Sequence, residues 1–235
     1  MDLSTPNLYH CTACRTTIGM LCSTYYPLQT RPQNLDNLRE YQQFEYIVRY
    51  FCNTCDAYAL ACSRPSERYF VASGLLVDNG NTHRTRLLRH WRTSETRDGG
   101  LTSFLTGEQH LPWPDLLVPY YTHSSENTTD VKWWLREANI KYLTGTCACP
   151  SCRLASGCPI QPWAFIPKAN LFDACKAPLA FGAGTMQRYE SSPGVYREFC
   201  KHCGASVFWS SDQRPLLIDV SVGLLRSPEE SRASQ

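Results

Sequence analysis

The chain lacks most features that mark membrane, secreted or nucleic-acid-binding proteins. Its 235 residues contain no apolar run of about 18 residues, so no membrane-spanning helix is expected. Residues 1–6 hold neither a basic nor an apolar segment, and no secretory signal is predicted. The formal charge of +2 comes without a long basic run, which argues against nucleic-acid partners. We therefore expect a cytoplasmic protein.

Cysteine, in contrast, is abundant. Thirteen cysteines are present, most of them in pairs separated by two residues, and without an export signal such pairs indicate metal ligands rather than disulfides. The densest group is C-A-C-P-S-C at residues 147–152. Cys147 and Cys149 share one face of an extended segment, and the next turn brings Cys152 beside them. Three thiolates suit Zn²⁺ and leave a fourth position open, as in catalytic sites; the alternative is buried free thiols or a disulfide.

Three segments near the N-terminus recur in the same order near the C-terminus. They share cysteine pairs, arginines and a glycine. The matched pairs are residues 10–19 with 148–157, 49–57 with 197–205, and 71–76 with 220–225. Three ordered matches predict an internal duplication.

The duplication divides the chain into four predicted parts. They are an N-terminal degenerate zinc unit at 1–80, a connecting segment at 81–139, a C-terminal zinc unit at 140–226 and a frayed tail at 227–235. In the first copy Tyr9 stands at the position of Cys147, and Asp56 stands at that of Gly204. A glycine in a metal-binding turn tolerates positive φ better than Asp does. We therefore interpret the first copy as a structural remnant.

Short segments bounded by turn residues favour a β domain in the second copy. The predicted strands are residues 163–167, 186–190, 206–209 and 216–222. In the connecting segment, a strand is predicted at 83–91 and a short helix at 131–139, capped by Asp130.

The cysteine-containing motifs resemble the glutathione-dependent formaldehyde-activating enzyme family, which also includes centromere protein V. They are C-A-C-P-S-C-R at 147–153, Y-E-S-S-P-G-V at 189–195, F-C-K-H-C-G at 199–204 and D-V-S-V-G at 219–223. The resemblance implies a mainly β, zinc-binding β-tent fold similar to methionine-R-sulfoxide reductases. Here we expect two degenerate tandem copies packed as a pseudo-dimer.

The resemblance also implies metal ligands. Cys147, Cys149 and Cys152 correspond to the ligands of a catalytic zinc, and Cys200 and Cys203 to part of a structural zinc site. The family completes the structural site with an early C-x-C, which this sequence lacks before either copy.

Two arrangements of ligands could replace the missing C-x-C, and they give one or two zinc ions per chain. One is a four-thiolate site in each copy, made of Cys11, Cys14, Cys52 and Cys55 in the first and Cys149, Cys152, Cys200 and Cys203 in the second. In the other arrangement, a single C-x-x-C pair binds the metal together with His10, His202, Cys62 or Cys175.

The family reaction joins formaldehyde to the thiol of glutathione, or reverses that step. The resemblance therefore implies a zinc-dependent carbon–sulfur lyase with glutathione as co-substrate. Arg153 either binds a carboxylate of such a ligand or is an outer charge near the thiolates. Alternative functions are a natural-product tailoring enzyme whose zinc polarises a carbonyl, a non-catalytic zinc scaffold for protein or chromatin, and a thiol redox switch.

Other side chains have two readings each. His202 is either a proton shuttle or a solvent-facing histidine, and Cys158 is either a nucleophile or a buried thiol. Trp163, Phe165 and Trp209 either wall an apolar pocket or belong to the core.

Overall fold

The computed structural model describes residues 7–76, 89–91 and 132–226. Two mainly antiparallel sheets and a small hairpin make up most of this part of the chain. The prediction of a mainly β protein is confirmed. Neither α-helix of the described ranges has the length or apolar character needed to cross a membrane. The residues predicted to form the frayed tail and the cap at Asp130 lie outside the described residues.

The first sheet belongs to the N-terminal unit. Its elements, with one helix, are β1 (Asn7–Tyr9), α1 (Thr12–Ile18), β2 (Ser23–Pro27), β3 (Leu38–Phe44), β4 (Ile47–Cys52), β5 (Tyr58–Ser63), β6 (Arg68–Ala72) and β7 (Arg89–Trp91). The strand order is β3-β4-β5-β6-β2-β1-β7, and only β7 pairs in parallel, with β1. Of the predicted strand at 83–91, the structure describes only these last three residues.

The second sheet belongs to the C-terminal unit. The remaining elements are β8 (Leu135–Arg136), β9 (Lys141–Tyr142), β10 (Thr144–Cys147), α2 (Pro150–Ser156), β11 (Gln161–Pro167), β12 (Met186–Ser192), β13 (Val195–Cys200), β14 (Ser206–Ser211) and β15 (Leu217–Ser221). The order is β10-β11-β15-β14-β13-β12. It repeats the order β1-β2-β6-β5-β4-β3 of the first sheet, and the four strands predicted here are all present.

The predicted helix at 131–139 is wrong over its described part. The chain instead turns and forms the hairpin β8–β9. Glu137, Ala138 and Asn139 have φ of 51°, 55° and 71°, in the left-handed region that an α-helix excludes. Trp133 packs its ring against Phe165 of β11 at 5.1 Å between centroids. Trp133 thus packs on β11 from a turn, at a place where the sequence pattern predicted a helix.

Both helices begin at a cysteine and end at a glycine. Cys11 and Cys149 are the N-cap residues, and each sulfur accepts a hydrogen bond from the backbone N–H three residues later. Gly19 and Gly157 close the helices in the left-handed conformation, with φ of 76° and 67°. The C-x-x-C spacing therefore sets a thiol at the start of each short helix and another in its first turn.

The two units meet through reciprocal backbone contacts. The N–H of Gly74 donates to the carbonyl of Gly157 at 2.9 Å, and the N–H of Gly223 donates to that of Gly19 at 3.3 Å. A side chain on Gly223 would collide with the backbone of Met20. Each helix end thus rests on a backbone segment of the other unit, in a matched pair of contacts.

A single buried cluster crosses this seam. Its members are Ile18, Met20, Phe51, Tyr58, Cys158 and Phe199, with Tyr41 and Tyr189 packed against them. Phe51 and Phe199 occupy equivalent positions in β4 and β13, and both are fully buried. The Tyr58 hydroxyl donates across the seam to the carbonyl of Cys203. The units therefore share this cluster, and each also has a buried cluster of its own.

Asp56 also contributes to the seam. It adopts φ of 60°, close to the 74° of Gly204 at the equivalent position. Its carboxylate is fully buried and accepts a hydrogen bond from the Ser206 hydroxyl of the other unit at 2.6 Å. Burial raises the pKa of Asp56 to about 7. This substitution, which the sequence alone suggested was decay, supplies a polar contact between the units.

Replacing Gly157 with Ala should destabilise the protein more than replacing Gly182 with Ala. Both glycines have positive φ, 67° and 72°, so each change costs about 1–2 kcal/mol of backbone strain. A Cβ on Gly157 would lie 2.9 Å from the Cβ of Tyr58 and 3.0 Å from that of Ala72, which adds about 1–3 kcal/mol of overpacking. At Gly182 no described heavy atom lies within 4 Å. Urea unfolding of both variants measures the difference; equal losses would contradict the close packing of the seam.

Candidate metal centre

The structure brings the three thiols of the C-x-C-x-x-C group together. Cys147 ends β10, Cys149 caps α2, and Cys152 lies in the first turn of that helix. Their sulfur atoms all lie within 4.8 Å of one another. Cys152 is buried, Cys147 is half-buried and Cys149 is exposed. The cluster is therefore held by the protein on one side and reachable from solvent on the other.

This donor set fits a thiolate-bound metal ion. Zinc–sulfur bonds of about 2.3 Å in a tetrahedral shell place neighbouring sulfurs about 3.8 Å apart, within the span seen here. Three soft thiolates select zinc, copper(I) or iron–sulfur chemistry over magnesium or calcium. The residues that would hold the ion are Cys147, Cys149 and Cys152, and three protein ligands leave room for a substrate or water.

Arg197 supplies a positive charge against the cluster. It lies in β13, only 2% exposed, and its Nη2 donates to the sulfur of Cys152 at 3.2 Å and to the Ser151 hydroxyl at 3.2 Å. A buried guanidinium is costly unless an opposite charge lies near. Its position beside the sulfurs therefore favours a negatively charged thiolate cluster.

The three thiols perturb one another strongly. Hydrogen bonds from Cys147 and then Cys152 hold the pKa of Cys149 far below its usual value. Hydrogen bonds to Cys147 and then to Cys149 raise the pKa of Cys152, because Cys152 is the donor in both. The group thus loses its first proton easily, and the resulting thiolate is stabilised by the remaining S–H donors and by Arg197.

The N-terminal unit repeats this arrangement without the third thiol. The Cys11 side chain, by hydrogen bonding, lowers the pKa of Cys14 to about 6. Arg49, at the position equivalent to Arg197, directs its Nη2 to the Cys14 sulfur at 3.5 Å. Tyr9 takes the place of the third cysteine, and both remaining thiols are buried. The unit therefore keeps the arginine–thiol contact and loses the open, three-sulfur geometry.

The structure does not assemble either predicted four-thiolate site. Within residues 7–76, 89–91 and 132–226, the cluster at 147, 149 and 152 is the single group of three or more metal-ligating side chains in close contact. Cys52 and Cys55 therefore form no such group with Cys11 and Cys14 in this part of the chain, and Cys200 and Cys203 form none with Cys149 and Cys152. The substitute ligands proposed for a lone pair, His10, His202, Cys62 and Cys175, complete no such group either.

The fold explains where the two C-x-x-C pairs lie instead. Each pair spans the turn after a strand, β4 in one unit and β13 in the other. The Gln187 side chain donates to the carbonyl of Asn53 at 2.9 Å, and Arg39, its counterpart, donates to the carbonyl of Lys201. Each turn is thus bound by the edge strand of the opposite unit. This cross-unit contact has no signal in the spacing of the cysteines.

The other predicted residues have more ordinary positions. Cys158 is 2% exposed in the shared core, its thiol donates to the Cys22 carbonyl at 3.4 Å, and burial raises its pKa to about 12. His202 is exposed in the turn between the C-terminal cysteine pair. Arg153 is half-buried in α2, and its Nε has no hydrogen-bond partner among the described residues. These observations favour the interpretation of Cys158 as a buried thiol.

Aromatic rings cover the same sheet face as the thiols. Trp209 lies opposite Arg197 in the β13–β14 register, and Asp219 lies opposite both Trp209 and Phe165. Directly paired residues of an antiparallel sheet project to one face. Arg214 lies over this row, with its Cζ 5.0 Å from the Trp209 ring centroid and 5.8 Å from that of Phe165. The reading of Trp209 and Phe165 as pocket walls is compatible with their half-buried state.

Residues 130–235 match the family model described as glutathione-dependent formaldehyde-activating enzyme. This stretch of the chain belongs to that family. It contains the complete thiol cluster, Arg197 and the row of aromatic rings. The resemblance drawn from the cysteine motifs is therefore confirmed for the C-terminal unit. No curated protein and no solved structure matches the chain.

Replacing Cys147 with Ser should remove the metal, whereas replacing Cys55 with Ser should leave it in place. Cys147 belongs to the cluster, and losing a direct ligand costs more affinity than the roughly 10–100-fold cost of losing an outer-shell partner. Elemental analysis of protein purified from zinc-supplemented cells should give one zinc per wild-type and Cys55→Ser chain, and far less for Cys147→Ser. Equal zinc in the two variants would contradict this placement of the metal.

Replacing Asp219 with Asn should change how stability depends on pH. Burial raises the pKa of Asp219 to about 6 despite its pairing with Arg214, whereas the unfolded value is about 3.9. The carboxyl therefore takes up a proton on folding between these values, and its contribution to the free energy of unfolding falls as pH rises. The free energy of unfolding of Asp219→Asn, relative to wild type, should therefore rise by about 1.4 kcal/mol per pH unit across that window. Above the window the difference should stay constant. Urea unfolding at several pH values measures this, and a difference that does not vary with pH would refute it.

Proposed function

We propose that the protein is a zinc-dependent carbon–sulfur lyase that adds a thiol to, or removes it from, an aldehyde or carbonyl carbon. The observation that carries the proposal is the cluster of Cys147, Cys149 and Cys152, exposed on one side, within a stretch of the formaldehyde-activating enzyme family. Glutathione is the co-substrate that this family suggests. The proposed location is the cytoplasm.

The reaction balances as an addition of S–H across C=O. The carbon–sulfur bond forms, the carbonyl oxygen becomes an alkoxide, and the thiol proton ends on that oxygen; elimination is the reverse. A bound zinc ion would supply Lewis-acid polarisation of the carbonyl. Arg197 holds the Cys152 sulfur in place, and the exposed side at Cys149 admits the reactants.

Arg153 is a candidate for binding a carboxylate of the thiol substrate. It follows Cys149 by four residues, so it lies one helical turn further along α2. Its side chain is half-buried, and its Nε is a buried donor without a partner among the described contacts. An arginine in this position can orient a carboxylate-bearing thiol such as glutathione towards the cluster.

A second candidate function is the tailoring of a larger carbonyl compound. The observation that favours it is the row formed by Phe165, Asp219 and Trp209 on the face that bears the thiols. Formaldehyde needs no aromatic surface for recognition, whereas a ring-bearing carbonyl compound does.

We also propose that the two units are β-tent copies produced by duplication of one ancestral domain. The repeated strand order and the reciprocal glycine contacts support this origin. A homodimer of single units would have the same two-fold arrangement of contacts, because an isologous interface pairs each residue set with its own counterpart.

The lyase proposal predicts that the zinc-loaded protein speeds the exchange between free formaldehyde and its glutathione adduct. Exchange NMR with ¹³C-formaldehyde and glutathione at equilibrium measures that rate. We expect wild type and Cys55→Ser to accelerate it, and Cys147→Ser to leave it at the spontaneous rate. Zinc-loaded wild type that gives no acceleration would exclude this function.

A further inference from the structure

We propose that Arg214, Trp209 and Phe165 form a binding subsite for a planar aromatic ring whose carbonyl group reaches the thiol cluster. This inference rests on the proposed function, because it names the class of carbonyl substrate: an aromatic aldehyde or ketone. The subsite lies on β11, β14 and the turn that follows β14.

The first step of the argument is that the rings and the thiols share one face. Cys147 pairs with Gln161 in the β10–β11 register, and Phe165 lies four residues further along β11, on the same side. On the other flank, Trp209 pairs with Arg197, which donates to the Cys152 sulfur. The rings therefore lie on the sheet face that bears the cluster, on β11 and β14, the two strands that flank β15.

The second step concerns distance. The Phe165 ring lies 3.2 Å from the point where a Cβ on Gly145 would stand, and Gly145 precedes Cys147 by two residues on the same strand face. Two residues of strand span about 7 Å. A two-ring aromatic compound resting beside Phe165 is long enough to bring a carbonyl substituent to the sulfurs.

The third step is the fixed orientation of Arg214. Its Nη2 pairs with both carboxylate oxygens of Asp219 at 3.1 Å each, and its Cζ lies 5.0 to 6.0 Å from the ring centroids of Trp209, Phe165 and Trp133. The side chain of Arg214 is 21% exposed. A guanidinium held beside aromatic rings and partly exposed offers a further surface on which a ring can stack.

The ligand class follows from this chemistry. The pair of Arg214 and Asp219 carries no net charge, so it selects by stacking and hydrogen bonding rather than by charge. Flat rings stack on arginine and tryptophan, whereas a saturated ring of similar size does not present a π face. Glutathione has no ring, and its carboxylates are not served by a guanidinium already paired with Asp219.

The test is the binding of 2-acetylnaphthalene, an unreactive aromatic ketone, by isothermal titration calorimetry. Cyclohexyl methyl ketone serves as the non-planar comparison. We expect the naphthyl ketone to bind at least about tenfold more tightly than the cyclohexyl one, the size of effect that an aromatic contact gives. Arg214→Gln and Trp209→Leu should each lose about tenfold, and Arg214→Lys, which keeps the charge but not the flat group, should also weaken binding.

Arg188→Gln is the matched control. Arg188 also lies over an aromatic ring, 4.9 Å from the Tyr196 centroid, and pairs with Glu198 at 2.8 Å. Glu198 follows Arg197 in β13 and so projects to the opposite face. Binding that weakens equally in Arg188→Gln, or a cyclohexyl ketone that binds as well as the naphthyl one, would overturn the proposal. If Arg214→Lys unfolds in urea as wild type does, its weaker binding of 2-acetylnaphthalene is a local effect and not a loss of fold.

The failure of the subsite and the failure of the proposed function give different results. Binding of 2-acetylnaphthalene needs no metal and should persist in Cys147→Ser. If the naphthyl preference is present but formaldehyde exchange is not accelerated, the subsite stands and the lyase reaction falls. If exchange is accelerated and the naphthyl preference is absent, the subsite alone is wrong.

Discussion

The close approach of two backbones at the seam is the constraint on which the rest of the structure depends. Gly19 and Gly157 end the two helices, and each receives a hydrogen bond from a glycine of the other unit, Gly223 and Gly74. These contacts leave no room for side chains, and they bring Phe51 and Phe199 into one buried cluster. Because this cluster takes residues from both units, each unit's helix and thiols are positioned partly by the other.

Within this frame the two units differ in one chemical respect. Both place an arginine from the strand before the C-x-x-C turn against the second thiol of the helix, Arg49 on Cys14 and Arg197 on Cys152. Only the C-terminal unit adds a third sulfur and an exposed side. A buried cation beside thiols stabilises thiolate, and three converging thiolates can bind a metal ion, whereas two buried ones have no open geometry for catalysis. The N-terminal unit contacts the C-terminal one through its sheet edge, Asp56 and Tyr58.

Several features could be read from residues alone. The spacing of Cys147, Cys149 and Cys152 was enough to predict their convergence, because alternation along a strand and one turn decide it locally. Short segments bounded by turn residues predicted β11, β12, β14 and β15. The arginines at positions 49 and 197 were visible in the matched segments, although their contact with a thiol was not inferred. The available signal was an arginine present in both segments near a cysteine pair.

Other features depended on long-range packing. The helix predicted at 131–139 is a turn and hairpin, and Trp133 there packs on a strand that follows it by about thirty residues. The four-thiolate sites were plausible from spacing, yet the C-x-x-C turns are bound by the edge strand of the opposite unit, which no local pattern encodes. Asp56, read as a sign of decay, is a buried partner of Ser206 across the seam.

By itself, the sequence determined the mainly β class, the family of the C-terminal unit and the convergence of three thiols that could hold a metal ion. These follow from short-range patterns of hydrophobicity, turns and ligand spacing. Only the tertiary structure decided which arginine faces the sulfurs, which cysteine pairs do not join their group, and which aromatic rings share their sheet face. Those relations join residues from separate strands and from both units, and they are set by sheet register and by packing across the seam.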